Sequence, residues 1–542
     1  MTLRLSSIMQ SLIGLTGASL LAACGGGGGS STPQSVTPTP TTPPSSQNNV
    51  WTQGQFAAAS SFKDLCATPR AGSDASGTAF PDRSGILSDE LFWLRSWSDE
   101  TYLWYNEITD RNPNDFTTAL SYFDELRTTA TTASGNPKDR FHFTYDSADW
   151  LQLTTSGASA GYGAEFSLIQ STPPRDIRIA YVEANTPATN AGLVRGVKLI
   201  TVDGVDVQTG SNTIALNAGL FPEAAGEVHT FVIERLDGTR ETISLTSQII
   251  TEDPVNVVST FDQNGRTYGY VHFTTFSPRT AEEALFDAFD QLQAANIDDI
   301  VLDLRYNGGG LLTIASQLSY MIAGPAQTNG LNFETLQFND KAAGTNPVTG
   351  QPIAPTPFYT TGRGLTVPQS RQAPSVSKPR VFVLTTGRSC SASEAVINGL
   401  RGIDVEVIQI GNRTCGKPYG FYATDNCGTT YFTIQFRGVN SKNFGDYADG
   451  FAPGQAVGTI GGVMPGCRVS DDFTRALGDP TEALLSTAVA YAETGSCPAG
   501  TVPQEKFVGD AAQKTASDPE LDLMNDPRLQ AREIARTRRI NP

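Results

Sequence analysis

The stretch that most constrains this chain runs from Arg380 to Leu400. Arg380–Val381–Phe382–Val383–Leu384 is short, apolar and β-branched, the pattern of a buried strand. Glu394–Ala395–Val396–Ile397–Asn398–Gly399–Leu400 joins good helix formers with apolar residues at helical spacing. Ser391, Ala392 and Ser393 therefore sit at a strand-to-helix turn. A hydroxyl is presented at such a turn, and the first free N–H groups of the helix point at whatever it attacks. A developing oxyanion needs such donors. The plainer reading is that the serines only N-cap the helix.

The regions around this turn alternate between strand and helix. Tyr268 to Phe276 reads as a strand, and Thr280 to Ala294 as an amphipathic helix with Leu285, Phe289 and Leu292 on one face. Ile300 to Arg305 is a buried strand that ends in Tyr306–Asn307–Gly308–Gly309–Gly310 before another helix. That order is an α/β layer. The glycine run lacks the spacing of a phosphate loop and suits a tight turn or a close backbone approach to substrate.

The chain begins with one charge, Arg4, and an apolar run ending Leu20–Leu21–Ala22–Ala23, followed by Cys24. It reads as a signal peptide over 1–23. Residues 24–50 are Gly, Ser, Thr, Pro and Gln, a tether that buries nothing and holds the body off the membrane. Residues 51–155 read as a mostly helical N-terminal domain whose aromatic run, Leu91–Phe92–Trp93–Leu94 to Trp104–Tyr105, suits a packed core. Residues 499–542 form a polar tail, in which Asp526–Pro527 can start a helix to about Arg538. Asn339 to Lys378, rich in Pro, Gly and Thr, reads as a long surface loop of the kind that serves as a lid.

The net charge of −17, from 38 basic and 55 acidic residues, argues against a nucleic-acid partner. Beyond Cys24, six cysteines remain, an even number that suggests disulfides in an exported protein. One scheme clips Cys415 to Cys427 and pairs Cys467 with Cys497 and Cys66 with Cys390. No two cysteines have zinc-finger spacing, so neither metal nor other cofactor is expected.

Residues 156–250 switch to short alternating strands. Gly161–Tyr162–Gly163–Ala164–Glu165–Phe166, then Asn185 to Leu193, then Gly196 to Gly204 resemble in order a PDZ domain. The resemblance implies that the backbone of Gly161, Tyr162, Gly163 and Ala164 receives a peptide carboxylate, while the adjacent strand edge accepts the peptide. Leu–Ala–Ala–Cys24 resembles a bacterial lipobox, which implies lipidation of Cys24 and a periplasm-facing place in the cell envelope, at the outer rather than the inner membrane.

LDLRYNGGG, SCSASE and GNRTCGKPYG, in that order, resemble the marks of the carboxyl-terminal processing (tail-specific) serine peptidases. The resemblance implies an α/β (α+β, multidomain) fold with a ClpP/crotonase-like catalytic core over 251–498. It implies Ser391 as nucleophile, Lys417 as general base, and the N–H groups of Ala392 and of Gly308 or Gly309 as oxyanion donors. Protein or peptide substrates would be engaged through their C-termini, and an adaptor or a second copy of the chain is compatible with this. Composition agrees, because the three histidines, His142, His229 and His272, follow no triad pattern, and a buried lysine can replace histidine as base. The family's glutamine four residues past the lysine is Phe421 here, leaving Gln435, Thr433 or Tyr419 to orient the amine. The rival reading is an inactive peptide-binding lipoprotein.

Overall fold

The structure is a computed structural model, and it describes residues 49–74, 77–156, 158–454, 463–499 and 501. Cys24, the tether before residue 49 and the helix expected after Asp526 lie outside the described residues.

A six-stranded sheet forms the centre, in the order Val255–Gln263, Arg266–Phe273, Asp299–Asp303, Arg380–Thr385, Glu406–Gly411, Gly466–Cys467. The first pair is an antiparallel hairpin and the remaining pairings are parallel. Parallel strands are buried on both faces, which explains their nearly unbroken apolar runs. Side chains alternate between the faces with the strand period of two. Ile300, Leu302, Val381 and Val383 join the helices Ala281–Ala294, Leu312–Thr328 and Ala392–Gly402 in one core. Val301, Phe382 and Leu384 meet the helix Ala483–Thr494 in the other. The α/β class and the strand–turn–helix at Ser391 are as the sequence predicts.

Residues 158–251 carry a separate apolar core, which includes Phe166, Ile177, Leu199, Leu216 and Phe231. Its strands run in the order Arg240–Thr246, Val228–Glu234, Lys198–Val202, Asp176–Val182, Ala164–Gln170. The chain enters and leaves this domain through one antiparallel ribbon, Ala158–Gly161 with Gln248–Thr251.

The N-terminal region is less helical than its composition suggests. Leu87–Thr101 is a 15-residue helix, but Ala119–Phe123 is a helix of only five residues. Phe143–Asp146 is a strand, paired with Thr429–Phe432 of the catalytic half. The aromatic run is core, as expected, as far as Tyr102, and its Trp93 and Trp97 pack with Phe123 against Tyr431.

The disulfides correct two of the three expected pairings. Cys467–Cys497 forms, but Cys66 pairs with Cys427 and Cys390 with Cys415. Closeness in sequence misleads because Cys427 lies at the tip of the hairpin Thr424–Asn426/Thr429–Phe432. Pairing with Phe143–Asp146 carries that hairpin to the N-terminal region and away from Cys415.

The 339–378 segment is irregular but pinned. The buried Glu282 carboxylate accepts the N–H groups of Arg363, Leu365, Thr366 and Val367 at 2.5, 3.0, 2.9 and 2.9 Å. Four otherwise unpaired donors end on one charge, so the segment is a strap on the helix Ala281–Ala294. Among the described residues, no helix is long and apolar enough to cross a membrane. Glu282→Ala is expected to lower stability by about 3 kcal/mol and to open the 360–370 stretch to proteolysis, measured by urea unfolding and limited trypsinolysis.

Candidate active site

Ser391 occupies the turn its sequence predicts, before the first residue of the helix Ala392–Gly402, with φ +60° and ψ −106°. A non-glycine residue in this region is strained and is held only where its surroundings enforce it. The enforcing group is Glu394, three residues on. Its Oε2 accepts the Ser391 N–H at 3.0 Å and the Lys417 N–H at 2.8 Å. Its Oε1 accepts the Gly416 N–H at 2.8 Å and the Thr414 hydroxyl at 2.5 Å. One buried carboxylate thus fastens the backbone of the predicted nucleophile to that of the predicted base. Burial raises the Glu394 pKa above the usual carboxylate value, against the pull of the hydrogen bonds from Thr414, Lys417, Gly416 and Ser391.

The same two segments are joined covalently. Cys390 precedes Ser391, Cys415 lies two residues before Lys417, and their Cα atoms are 5.1 Å apart in the disulfide. Gly416 makes the turn between them, at φ +82°, where a Cβ would sit 2.2 Å from the Ala448 carbonyl oxygen. The Asp449–Pro453 turn locks Thr414 in place, since Phe451 N–H donates to Thr414 Oγ1 at 2.8 Å and Thr414 N–H to Phe451 O at 2.9 Å.

The Lys417 side chain is 0% exposed. Its Nζ has no hydrogen-bond partner among the described residues. It lies 4.5 Å from the Phe141 ring centroid and 4.6 Å from that of Phe421. Desolvation lowers its pKa from 10.5 to about 7, against the attraction of Asp139 and Glu394. None of the three residues considered for orienting the amine does so. Gln435 accepts the Tyr422 N–H at 2.7 Å, Thr433 meets His142 Nδ1 at 3.1 Å, and Tyr419 packs edge-on to Trp104.

The glycine loop lies against the Ser391 turn. Asn307 O accepts the Cys390 N–H at 3.0 Å and the Ser393 hydroxyl at 3.1 Å. The Gly309 N–H is committed to Asn307 Oδ1 at 2.9 Å. Of the two glycines considered, Gly308 is the one whose N–H takes no acceptor among the described residues, and the same holds for Ala392.

Below the loop is a buried ionic network. Arg305 donates to Asp303 at 2.6 Å, Glu482 at 2.9 Å and Asp471 at 2.7 Å. Asp471 also accepts from Tyr306 and from Arg195 of the 158–251 domain. In that domain Gly161 ends one strand and Ala164 begins the next. Gly163 has φ +75°, and a Cβ there would lie 2.4 Å from Thr186. The loop opens on a groove lined by Phe166, Leu168, Leu220, Phe221 and Arg388. Arg388, three residues before Ser391, donates to Glu165 Oε1 at 2.5 Å and Phe166 O at 3.2 Å.

Glu394 was readable in advance, since Ser391-x-x-Glu394 has capping-box spacing. Nothing local in sequence marks Phe141, which reaches the site from the N-terminal region.

Residues 267–421 match the model of peptidase family S41. They are a peptidase family S41 domain. A carboxyl-terminal-processing protease of Synechocystis sp. is 31% identical over 162 residues, covering 30% of this chain and 37% of that protein. One from Picosynechococcus sp. is 24% identical over 278 residues, covering 49% of this chain and 56% of the relative. The chain thus spans between about a third and somewhat over half of these relatives' lengths. In fold, a Bacteroides fragilis protein assigned to the S41 proteases aligns with a TM-score of 0.54 at 22% identity, covering 74% of this chain and 97% of that one.

The buried amine of the S41 domain has a stability consequence. Between pH 7 and 10.5 the unfolded chain holds the Lys417 proton and the native chain does not. Stability therefore rises with pH across that window and is lost as pH falls through it. Lys417→Met is expected to be more stable than wild type at pH 7.5 by about 2–4 kcal/mol, an advantage that shrinks towards pH 10.5 in urea unfolding.

Proposed function

We propose that the protein is a serine endopeptidase that cleaves proteins or peptides near their C-termini with a Ser391–Lys417 dyad. The observation that carries this reading is the buried amine without a partner, on a backbone tied through Glu394 to the Ser391 turn. A lysine with its pKa near 7 is about half neutral at pH 7 and more so above it, so it can act as a base.

Neutral Lys417 Nζ takes the proton of Ser391 Oγ as the oxygen attacks the scissile carbonyl carbon. The resulting oxyanion accepts from the N–H groups of Ala392 and Gly308. The Lys417 ammonium then protonates the leaving amine, and the C-terminal fragment departs from an acyl-serine ester. A water molecule loses its proton to Lys417 and attacks the ester, and Ser391 leaves with that proton.

The 158–251 domain acts as the PDZ module in this reading. The backbone from Gly161 to Ala164 receives the terminal carboxylate, and the groove beside Phe166 and Phe221 takes the last side chain. The enzyme sits in the cell envelope, lipid-anchored at Cys24 and facing the periplasm. Three disulfides among the described residues support an oxidising compartment.

Ser391→Ala and Lys417→Ala are each expected to lower cleavage of an unfolded protein by roughly 10³-fold or more with unchanged circular dichroism. In wild type, kcat/KM falls as pH drops through about 7, because the protonated amine cannot accept the serine proton. Full activity in either variant overturns the dyad. Equal cleavage of a peptide and its C-terminal amide overturns the carboxylate-capture role alone.

A further inference from the structure

The surroundings of Lys417 Nζ are unusual for a general base. A buried amine is ordinarily held by a hydrogen-bond acceptor, and here two aromatic rings stand in that place. The charged groups facing the amine are Asp139, from the segment that carries Phe141, and Glu394, from the helix after Ser391. Both are engaged elsewhere. Asp139 accepts from Tyr102 Oη at 2.8 Å and from the Phe141 N–H at 2.9 Å. Glu394 is occupied by Ser391, Thr414, Gly416 and Lys417 N–H.

The rings are themselves held. Phe421 packs edge-on against Phe143 and Phe432. The Phe141 segment is tied to the loop of the lysine, since Arg140 Nη2 donates to Cys415 O at 2.9 Å. A carbonyl acceptor in their place would favour the ammonium and keep the lysine protonated at rest. A ring excludes water, offers no lone pair, and still attracts a cation to its face.

We propose that Phe141 and Phe421 are positioning residues for the base, an aromatic clamp that keeps the resting amine dry and offers ring faces to the ammonium formed when Lys417 takes the Ser391 proton. The proposal rests on the Ser391–Lys417 reading. It makes the N-terminal region part of the catalytic machinery, because one of the two rings comes from it.

The test is the pH profile of kcat and kcat/KM for full-length Phe141→Leu, Phe421→Leu and Phe421→Gln, with thermal melting to follow folding. The leucines keep the site dry but lose the ring faces, so kcat falls about 3- to 30-fold, KM changes less than about twofold, and the acid limb does not move up. Glutamine supplies an acceptor, so the acid limb moves up by about one pH unit or more and activity returns at pH 9. If Phe421→Gln does not fold, Phe141→Gln, at a half-buried position, takes its place with the same expectation. Leucine variants with kcat within about twofold of wild type, or a glutamine variant with an unmoved limb, overturn the clamp. Active Ser391→Ala or Lys417→Ala overturns the dyad itself, whereas inactive ones beside unaffected phenylalanine variants remove the clamp alone.

Discussion

The Glu394 carboxylate is the interaction on which the site depends. A non-glycine backbone at φ +60° does not persist unaided. Here the N–H that this conformation exposes ends on a charge, and the N–H of Lys417 ends on the same oxygen. A charged acceptor binds such donors more tightly than a neutral one. The Cys390–Cys415 disulfide repeats the connection covalently, one residue out from Ser391 and two from Lys417. Two segments, one before and one after the strand Glu406–Gly411 in the chain, are thereby held as one unit.

Burial of the lysine is the cost of that design. An ammonium in a dry site is strongly disfavoured, so the amine loses its proton at a pH where an exposed lysine keeps it. The N-terminal region completes the desolvation. Its strand Phe143–Asp146 pairs with Thr429–Phe432, its aromatic cluster packs on Tyr431, and Cys66 is bonded to Cys427. Each contact lies on the hairpin that follows Phe421. Anchoring that hairpin also brings Phe141 over the amine, which links folding of the N-terminal region to the protonation of Lys417.

Features with local causes were legible in the sequence, and features made by distant pairing were not. The buried strands and the Ser391 turn follow from apolar runs and small residues in a short window. Gly308, Gly309 and Lys417 were reached through family-like motifs, and the finer choice between the glycines needed the Asn307 side chain, which spends the Gly309 N–H. Two of the three disulfide pairings failed because cysteine spacing carries no information about a strand paired from nearly three hundred residues away. The orienting group for Lys417 was sought among polar residues near Phe421. The structure has aromatic rings there, one of them in a region read only as packing.

The Gly308 loop and the 158–251 domain share one electrostatic anchor. Arg305 leaves the strand Asp299–Asp303 and meets Asp303 and Glu482, both fully buried, and the partly buried Asp471. Arg195 reaches from the other domain to the same Asp471 and to Tyr306 Oη at 2.9 Å. Tyr306 is two residues before Gly308 and also has a positive φ, +65°. Arg388 makes a second bridge, from the Ser391 turn to Glu165 on the strand that follows the Gly161–Ala164 loop. Pairs such as these are costly to break one partner at a time, since the group left behind stays buried and charged. A displacement of the 158–251 domain that separates Arg195 from Asp471 therefore also removes a support from the backbone that leads to Gly308.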